Sequence, residues 1–407
     1  MSFEHLARAE LAGMFPELLL CGHLIDRAGM PHVVGELGRE GMGEVAIEEW
    51  MAASPVYTRR TMRALGIDGD GVAEIFKCLQ HDIGAPPEFL DFRFTVHDHD
   101  HGEFQLAHCG ALMDVEPMGE DYVRTMCHDI EDPTFDATAG AVNPRAQIRP
   151  VHRPPRVPAD REPHCAWTVS IAEGHEALSV PDAAVEVGRS EAARFTLSTG
   201  PVEDDGAAGY AGEVQADVDW SSFSRALLLR LADEISLQCH LLALGFHRAL
   251  RRRLSGDRAG ELLGRQLTGA GGLASRRLCR ALGLAPSAGS VPQVLAVHPA
   301  LNPAGYVGFS MEGEDLIRLQ REAPGVRDAG WARLLHEDLS PWRAIVQGIS
   351  PTLDVVAHRG DRAVRRLRVI DTGEPQPEAE GVQLAALSTG ADFAFDGRRP
   401  LLPISPA

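Results

Sequence analysis

The sequence lacks the short motifs by which many enzyme classes are recognised. It contains no glycine-rich phosphate loop, no serine nucleophile elbow, no His-Glu-x-x-His motif and no Cys-x-x-Cys pair. A P-loop nucleotidase, an α/β-hydrolase, a zincin and a structural zinc knuckle are therefore not expected. Any chemistry must come from residues that a signature motif does not mark.

Long apolar runs and an excess of basic residues are also absent. No run approaches the roughly 18 residues that would span a membrane, and the amino-terminal residues do not resemble a signal peptide. The 58 acids outnumber the 39 lysines and arginines, and the net charge of −19 argues against a nucleic-acid surface. An odd count of seven cysteines in 407 residues does not suggest a secreted disulfide framework, so we expect a cytoplasmic protein.

What the sequence does contain is a concentration of cysteine and histidine in residues 92–171. This region holds three of the seven cysteines and seven of the seventeen histidines. Each of its cysteines adjoins a histidine, in the pairs His108-Cys109, Cys127-His128 and His164-Cys165. Thiolates and imidazoles bind transition metals and also act as nucleophiles or proton carriers. We therefore predict a metal site in this region that holds zinc, iron or copper, with all six residues of these pairs as candidate ligands.

Carboxylates near the cysteines complete the predicted site. Asp114 follows the first pair, and Glu131 lies three residues after His128, which places both on one face of a helix. A carboxyl group beside a thiol can move a proton. The candidate catalytic residues are Cys109, Asp114, Glu131 and Cys165.

An arginine- and proline-rich stretch, residues 142–163, lies between the second and third cysteine. Guanidinium groups bind carboxylate or phosphate bidentately, and Arg149, Arg153 and Arg156 are the candidates here. Pairing with the abundant local acids is the alternative. If these arginines line the site, the substrate is a small molecule with an anionic group.

The periodicity of the sequence predicts alternating helical and extended segments. Residues 15–79 have helical spacing interrupted by a turn at 68–71, residues 91–109 form a hairpin, and residues 165–171 form a strand. A helix over residues 118–130 should end at Pro133, and residues 142–163 should be an ordered loop. On a strand His108 and Cys109 point to opposite faces, so at most one belongs to a given site. The opening order of helices and hairpin is winged-helix-like.

Two sequence matches predict a tandem duplication. TRRTMRALGI at 58–67 recurs as SRRLCRALGL at 275–284, and DPTFDATA at 132–139 is echoed by SPTLDVVA at 350–357. The two matches have nearly the same offset, which predicts an α+β protein of two modules, 1–215 and 216–407. A second hairpin is predicted from residue 306, near the place where the offset puts the counterpart of the first, and it contains no histidine or cysteine. The segment AIVQGISPTLDVV at 344–356 has no Cys-His pair either, so we expect a degenerate copy that buries an interface or closes the pocket.

The first module resembles the organomercurial (alkylmercury) lyase fold. The resemblance covers about residues 58–171: helices ending in ALGI and VAEIF, a hairpin RFTV to HCGALMD, the segment VRTMC, and the strand HCAWTVSI. It implies that Cys109 and Cys165 grip a metal, that Asp114 delivers a proton, and that Cys127 is structural. The aspartate lies further from the first cysteine than in that family, and the doubled cysteine of the last strand is missing. The modules of aminothiazoline-carboxylate hydrolases and vinyl reductases are similar in a looser way.

Three functions remain open at this point. The first is a metal-dependent lyase or tailoring enzyme that acts on a small anionic molecule. The second is a metal-free hydrolase in which a cysteine attacks and a histidine acts as base. The third is a sensor of metals or small molecules that has no catalytic activity.

Overall fold

Two separate four-stranded antiparallel sheets and a larger set of helices make up the chain, which confirms the predicted α+β class. The computed structural model describes residues 2–197 and 205–398. No helix within these ranges is both long enough and apolar enough to span a membrane.

The first half contains seven helices and four strands within the described residues. The helices are α1 (Arg8–Leu65), α2 (Val72–Leu79), α3 (Gly110–Val115), α4 (Glu120–Arg124), α5 (Glu131–Val142), α6 (Asp182–Val187) and α7 (Glu191–Arg194). The strands are β1 (Leu90–Val96), β2 (His101–Cys109), β3 (Ala146–His152) and β4 (Cys165–Ile171). A π-helical turn, Thr125–Ile130, joins α4 to α5.

The second half follows, up to residue 398 where the described chain ends, with eight α-helices and four strands. The helices are α8 (Arg225–Arg251), α9 (Gly256–Ala281), α10 (Val291–Val297), α11 (Ala304–Val307), α12 (Pro324–Arg327), α13 (Trp331–Glu337), α14 (Ser340–Ile349) and α15 (Glu380–Ala385). The strands are β5 (Phe309–Glu312), β6 (Leu316–Gln320), β7 (Leu353–His358) and β8 (Val364–Asp371).

The long helix α1 consists of two segments joined at Gly38. The φ angle of Gly38 is +73°, a left-handed value that residues other than glycine seldom adopt. This residue breaks the helical course, so that side chains from both segments can line the same space. The helix ends at Gly66, which has a left-handed φ of 67°.

The first sheet has the strand order β1-β2-β4-β3 and confirms the predicted hairpin and the strand at 165–171. Two predictions about the region between them were wrong. Residues 142–163 include the strand β3, where Pro150 is tolerated because β3 is an edge strand. The helix also continues through Pro133: the π-helical turn just before α5 has already interrupted the regular hydrogen-bond ladder, so the missing N–H of proline costs little.

The second sheet has the order β5-β6-β8-β7, which is the connectivity of the first. The predicted hairpin after residue 306 is β5-β6. One of the two sequence matches does not correspond in structure, because residues 132–139 lie in α5 whereas residues 353–357 lie in β7. The other match is consistent, since residues 58–65 and 275–281 both form the carboxyl-terminal turns of long helices. The tandem duplication itself stays a prediction.

Two ion pairs, one buried and one partly buried, join the halves reciprocally. Arg60 of α1 binds Glu234 of α8 with two hydrogen bonds, of 2.7 and 3.0 Å. Arg277 of α9 binds Glu17 of α1 in the same way, at 2.8 and 2.9 Å. By the sequence offset of the 58–67 match, Arg277 is the counterpart of Arg60, and Glu234 is the counterpart of Glu17. The contacts therefore have the pattern of a two-fold interface between two copies of one helix pair.

Small residues allow the backbones of these helices to approach closely. A Cβ atom at Gly245 would lie 2.6 Å from the carbonyl oxygen of Glu49 and 3.3 Å from the side chain of Ala52. A Cβ atom at Gly269 would lie 3.0 Å from the side chain of Ala28. Helix α1 thus packs on α8 and α9, and the two halves share one continuous hydrophobic core. The predicted boundary at residue 215 remains a prediction.

The reciprocal ion pairs predict a large effect of Arg60→Ala on stability. The change leaves the Glu234 carboxylate buried without its guanidinium, so the free energy of unfolding should fall by about 3–5 kcal/mol. Urea unfolding followed by circular dichroism measures the change. The matched control is Arg59→Ala, which removes the adjacent exposed guanidinium and should stay within about 0.5 kcal/mol of the parent. If both variants lowered the free energy of unfolding equally, the assignment of a stabilising ion pair between Arg60 and Glu234 would be wrong.

Candidate functional site

A cavity of about 430 Å³ lies between both segments of α1, the β1-β2 hairpin and α5. Most of its lining is apolar, with Met30, Trp50, Phe92 and Phe135 among the larger side chains. The second half contributes Leu384, Leu387 and Ser388. An apolar cavity with a few polar groups is typical of a small-molecule site.

Three of the four predicted catalytic residues line this cavity. They are Cys109 at the end of β2, Asp114 in α3 and Glu131 at the start of α5. Cys165 and Cys127 are buried outside the cavity lining. Both thiols are close enough to Glu131 and Cys109 for electrostatic interaction between them. The fold therefore brings together the three cysteines and the glutamate that the sequence singled out.

Cys109 occupies the junction between β2 and α3. It caps α3, and its Sγ accepts a hydrogen bond from the N–H of Leu112 at 3.3 Å. Burial raises the pKa of the thiol to about 12, the Glu131 charge adds to this rise, and the Leu112 N–H opposes it. The thiol is therefore neutral near pH 7. As the strand geometry predicts, Cys109 is buried while the preceding His108 is partly exposed.

Glu131 directly follows the π-helical turn and is the first residue of α5. Burial raises its pKa to about 8, against the opposing effect of the Arg153 charge. Near pH 7 its carboxyl group is mostly protonated, so it can donate a proton. Desolvation raises the pKa of Cys127 and Cys165 as well, with Glu131 as the next cause.

The predicted metal ligands do not converge in the part of the chain that the structure describes. Within these ranges no group of three or more histidine, cysteine, aspartate or glutamate side chains could hold a metal ion. His128 directs its Nε2 to the carbonyl oxygen of Pro154 at 2.7 Å, and the His164 Nε2 lies 3.6 Å from the Glu162 carboxylate. The ring of His108 lies 6.0 Å from that of Phe393. The donors are chemically suited to a soft ion, but this arrangement does not fit a resident one, and the metal cofactor stays a prediction.

The arginines of the 142–163 stretch have carboxylate partners within the protein. The ion pairs are Arg149–Asp136 (2.9 Å), Arg153–Asp132 and Arg156–Glu116 (3.0 Å). None of the three arginines lines the cavity. The guanidinium that does line it belongs to Arg27, whose Nη1 lies 3.7 Å from the Asp114 carboxylate. The binding of an anionic substrate by these arginines therefore stays a prediction. Their ion pairs favour the alternative, which is pairing with acidic residues nearby in the protein.

Asp114 attaches the carboxyl-terminal segment of the second half to the cavity. Its Oδ2 accepts a hydrogen bond from the Ser388 hydroxyl at 2.7 Å, and its Oδ1 accepts from the N–H and hydroxyl of Thr389 at 2.7 and 2.8 Å. Arg277 fixes the next turn by donating to the carbonyl oxygens of Gly390, Ala391 and Phe393. These contacts give Asp114 a positioning role, and its predicted catalytic role stays a prediction.

Sequence reasoning missed a set of polar residues that line the cavity from α1 and the loop after α2. They are His23, Asp26, Arg27, Trp50, Tyr57 and Asp82. The repeat offers a signal that could have found them. By the offset of the 58–67 match, the counterparts of Asp26, Arg27, Trp50 and Tyr57 are Ala243, Leu244, Leu267 and Ala274. The predicted duplication would therefore have marked Asp26, Arg27, Trp50 and Tyr57 as polar residues that the predicted copy does not keep.

Comparison with known protein families, curated proteins and solved structures found no match to this chain. The resemblance to organomercurial lyases therefore stays a prediction that rests on the residues quoted above.

The coupling between Cys109 and Glu131 predicts a pH-dependent effect of Glu131→Gln on thiol reactivity. Once Glu131 ionises, above about pH 8, its charge raises the Cys109 pKa, so removing the charge should increase alkylation at alkaline pH. Below about pH 7 Glu131 is neutral and the two proteins should react alike. We expect an increase of several-fold to about tenfold in iodoacetamide labelling of Cys109, measured by peptide mass spectrometry.

The control for this experiment is Asp129→Asn, which removes an exposed carboxylate from the same helical turn. It should leave the labelling profile of Cys109 unchanged. A Glu131→Gln profile that coincides with the parent profile up to pH 10 would disprove the coupling.

The contacts of Asp114 predict that Asp114→Asn loosens the carboxyl-terminal segment. The amide cannot reproduce the charge-assisted hydrogen bonds to Ser388 and Thr389, so hydrogen exchange at residues 388–390 should accelerate about tenfold or more. The matched control is Asp392→Asn, which removes an exposed carboxylate from the same segment. Protection that stays unchanged in Asp114→Asn would show that Arg277 alone holds the segment.

Proposed function

We propose that the chain is an enzyme that cleaves a bond in a small, largely apolar molecule, with Cys109 as the group that binds the electrophilic centre and Glu131 as the proton donor. The observation that carries the proposal is the presence of a neutral thiol and a neutral carboxylic acid in one apolar cavity. The cavity supplies binding through its lining, and the low polarity strengthens the interaction between the two groups.

The proposed step is a proton-coupled transfer. In a substrate R–X, the sulfur of Cys109 forms a bond to the electrophilic centre X while the R–X bond breaks. Glu131 protonates the leaving group R and recovers a proton from the Cys109 thiol. The net change is Cys–SH plus R–X giving Cys–S–X plus R–H, so atoms and charge balance without an oxidant or reductant.

A lyase reaction is the first form of this proposal. If X is a soft metal bonded to carbon, the metal is part of the substrate, and the leaving carbon takes the proton. Cys165 and Cys127, which interact with Glu131 and Cys109, are the thiols available for the released metal. The resemblance to organomercurial lyases supports this form, with Glu131 in the proton-donating role and Asp114 in the positioning role.

The metal-free hydrolase is the second form, and it uses the same proton path. If X is an acyl carbon, Cys109 forms a thioester and the alcohol or amine leaves as R–H. Water then hydrolyses the thioester, which releases the carboxylic acid and restores the Cys109 thiol. The hydrogen bond from the Leu112 N–H to the Cys109 sulfur favours this form, because it stabilises a thiolate as the proton departs. Neither form includes a step at a resident metal ion.

The second half completes the site in this proposal and is a degenerate copy of the first. The shared strand order, the reciprocal ion pairs and the constant sequence offset between the paired residues support a duplication. The lining residues Leu384 and Leu387 support the predicted closing role of the second half.

The test uses one reagent for each form and the full chain. With phenylmercuric acetate the lyase form predicts release of benzene, measured by gas chromatography. With 4-nitrophenyl phenylacetate the hydrolase form predicts release of 4-nitrophenol and a hydroxylamine-labile adduct on Cys109. Glu131→Gln should slow the productive reaction by about 10²–10⁴-fold, because the leaving group loses its acid.

Cys109→Ser should abolish the reaction, and Cys279→Ser, which changes a cysteine outside the cavity lining, should not. Elemental mass spectrometry of the purified chain reports separately whether zinc, iron or copper accompanies it. The proposed function would be refuted if the parent chain released no more benzene and no more 4-nitrophenol than the Cys109→Ser variant does.

A further inference from the structure

A second polar site lies on the α1 wall of the same cavity, apart from the thiols. His23 and Asp26 line the cavity and are each 5% exposed. Both ring nitrogens of His23 and the Oδ1 atom of Asp26 have no hydrogen-bond partner among the described residues. Buried polar atoms are nearly always hydrogen-bonded, because an unmet bond costs free energy. Such atoms in a cavity wall indicate a ligand with complementary groups.

The carboxyl groups of this wall are held in fixed orientations. The Trp50 Nε1–H donates to the Oδ2 atom of Asp26 at 2.8 Å, which leaves Oδ1 as the free acceptor. Asp82 accepts hydrogen bonds on Oδ1 from the Tyr57 hydroxyl at 2.8 Å and from the Gly84 N–H at 2.7 Å. A site whose acceptors are already oriented loses little entropy when a ligand binds.

The charges in the cavity favour a cation over an anion. Asp26, Asp82 and Asp114 line it beside the protonated Glu131, against the single guanidinium of Arg27, which is 3.7 Å from Asp114. Burial, with a smaller effect of Arg27, lowers the pKa of His23 to about 3, so its ring is neutral and can accept a hydrogen bond. A bound cation would add positive charge to a wall that has an excess of carboxyl groups.

The raised pKa values of the carboxyl groups on and near this wall indicate that too little positive charge surrounds them. Burial raises the pKa of Asp82 to about 6 and raises that of Asp26. It also raises the pKa of Glu49 well above its usual value, with the Asp26 charge as the next cause. Groups buried without sufficient counter-charge retain their protons, and a cation nearby would reverse that tendency.

The fold does not require these residues. By the offset of the 58–67 match, the counterparts of Asp26, Trp50 and Tyr57 are Ala243, Leu267 and Ala274, which are apolar residues of α8 and α9. The counterpart of His23 is His240, whose Nε2 is hydrogen-bonded to the carbonyl oxygen of Asn302 at 3.1 Å. The polar wall is therefore a property of the half that carries the cavity.

We propose that His23, Asp26 and Asp82 form a subsite for the basic group of the substrate, an ammonium or amidinium whose apolar body fills the rest of the cavity. The N–H donors of such a group would bind the free Oδ1 of Asp26 and a ring nitrogen of His23. The assignment of this ligand as the substrate rests on the proposed function; its binding does not. The substrate would therefore carry a positive charge, whereas the arginine-rich stretch predicted a negative one.

Isothermal titration of the full chain with three compounds of one scaffold tests the proposal. The probes are 4-phenylbutylamine, 4-phenylbutan-1-ol and 4-phenylbutanoate, which differ in their terminal group. At pH 7 the amine should bind at least about tenfold more tightly than the alcohol or the carboxylate. Asp26→Asn, which keeps an acceptor for Trp50 but removes the charge, should abolish this preference.

The matched control is Glu40→Gln, which removes a highly exposed carboxylate from the same helix outside the cavity lining. It should retain the preference for the amine, and circular dichroism verifies that both variants are folded. Equal affinity for the three compounds, or an undiminished preference in Asp26→Asn, would overturn the proposal.

Cys109→Ser separates this proposal from the proposed function. It should keep the preference for the amine over the alcohol and the carboxylate, because the subsite for the basic group does not include the thiol. If the chain prefers the amine but Cys109 does not react, the subsite is supported and the proposed reaction is refuted. Reaction at Cys109 without amine preference would refute the subsite alone.

Discussion

The reciprocal burial of two arginine–glutamate pairs is the constraint on which the remaining structure depends. Arg60 with Glu234 and Arg277 with Glu17 cross the interface between the halves, and none of these charges can be left alone in the core without a large penalty. The pairs specify how α1 lies against α8 and α9. Because Arg277 also binds three carbonyl groups of the carboxyl-terminal segment, one side chain connects the helix packing to the closure of the cavity.

Desolvation then sets the chemistry of the cavity. In water a glutamate is ionised at pH 7, but here burial keeps the proton on Glu131, and it also raises the pKa of the Cys109 thiol, which reduces the thiolate fraction further. A protonated pair in an apolar space can form a bond to sulfur and deliver a proton to a leaving group in one event. The carboxyl groups of Asp26 and Asp82 on the α1 wall experience the same desolvation, which raises their pKa values.

The sheets of the two halves have the same strand order, but the halves contribute different parts of the cavity. The first half holds the cavity, the thiols and the oriented carboxyl groups, whereas the second supplies the partners of the ion pairs and the segment that Asp114 attaches. Where α1 has Asp26 and Trp50, the second half has Ala243 and Leu267, which serve packing alone.

The sequence was sufficient for features that depend on neighbours along the chain. Periodicity predicted the helical residues within 15–79, the β1-β2 hairpin and the strand β4. The crowding of cysteine, histidine and acids predicted the neighbourhood of Cys109 and Glu131. Only the tertiary structure could show that Pro150 lies on an edge strand, that Pro133 follows an already interrupted hydrogen-bond ladder, and that the arginine-rich stretch binds local acids. The cavity and its α1 wall also required the fold, because burial, orphaned hydrogen-bonding atoms and shifted protonation arise between segments that are distant in sequence.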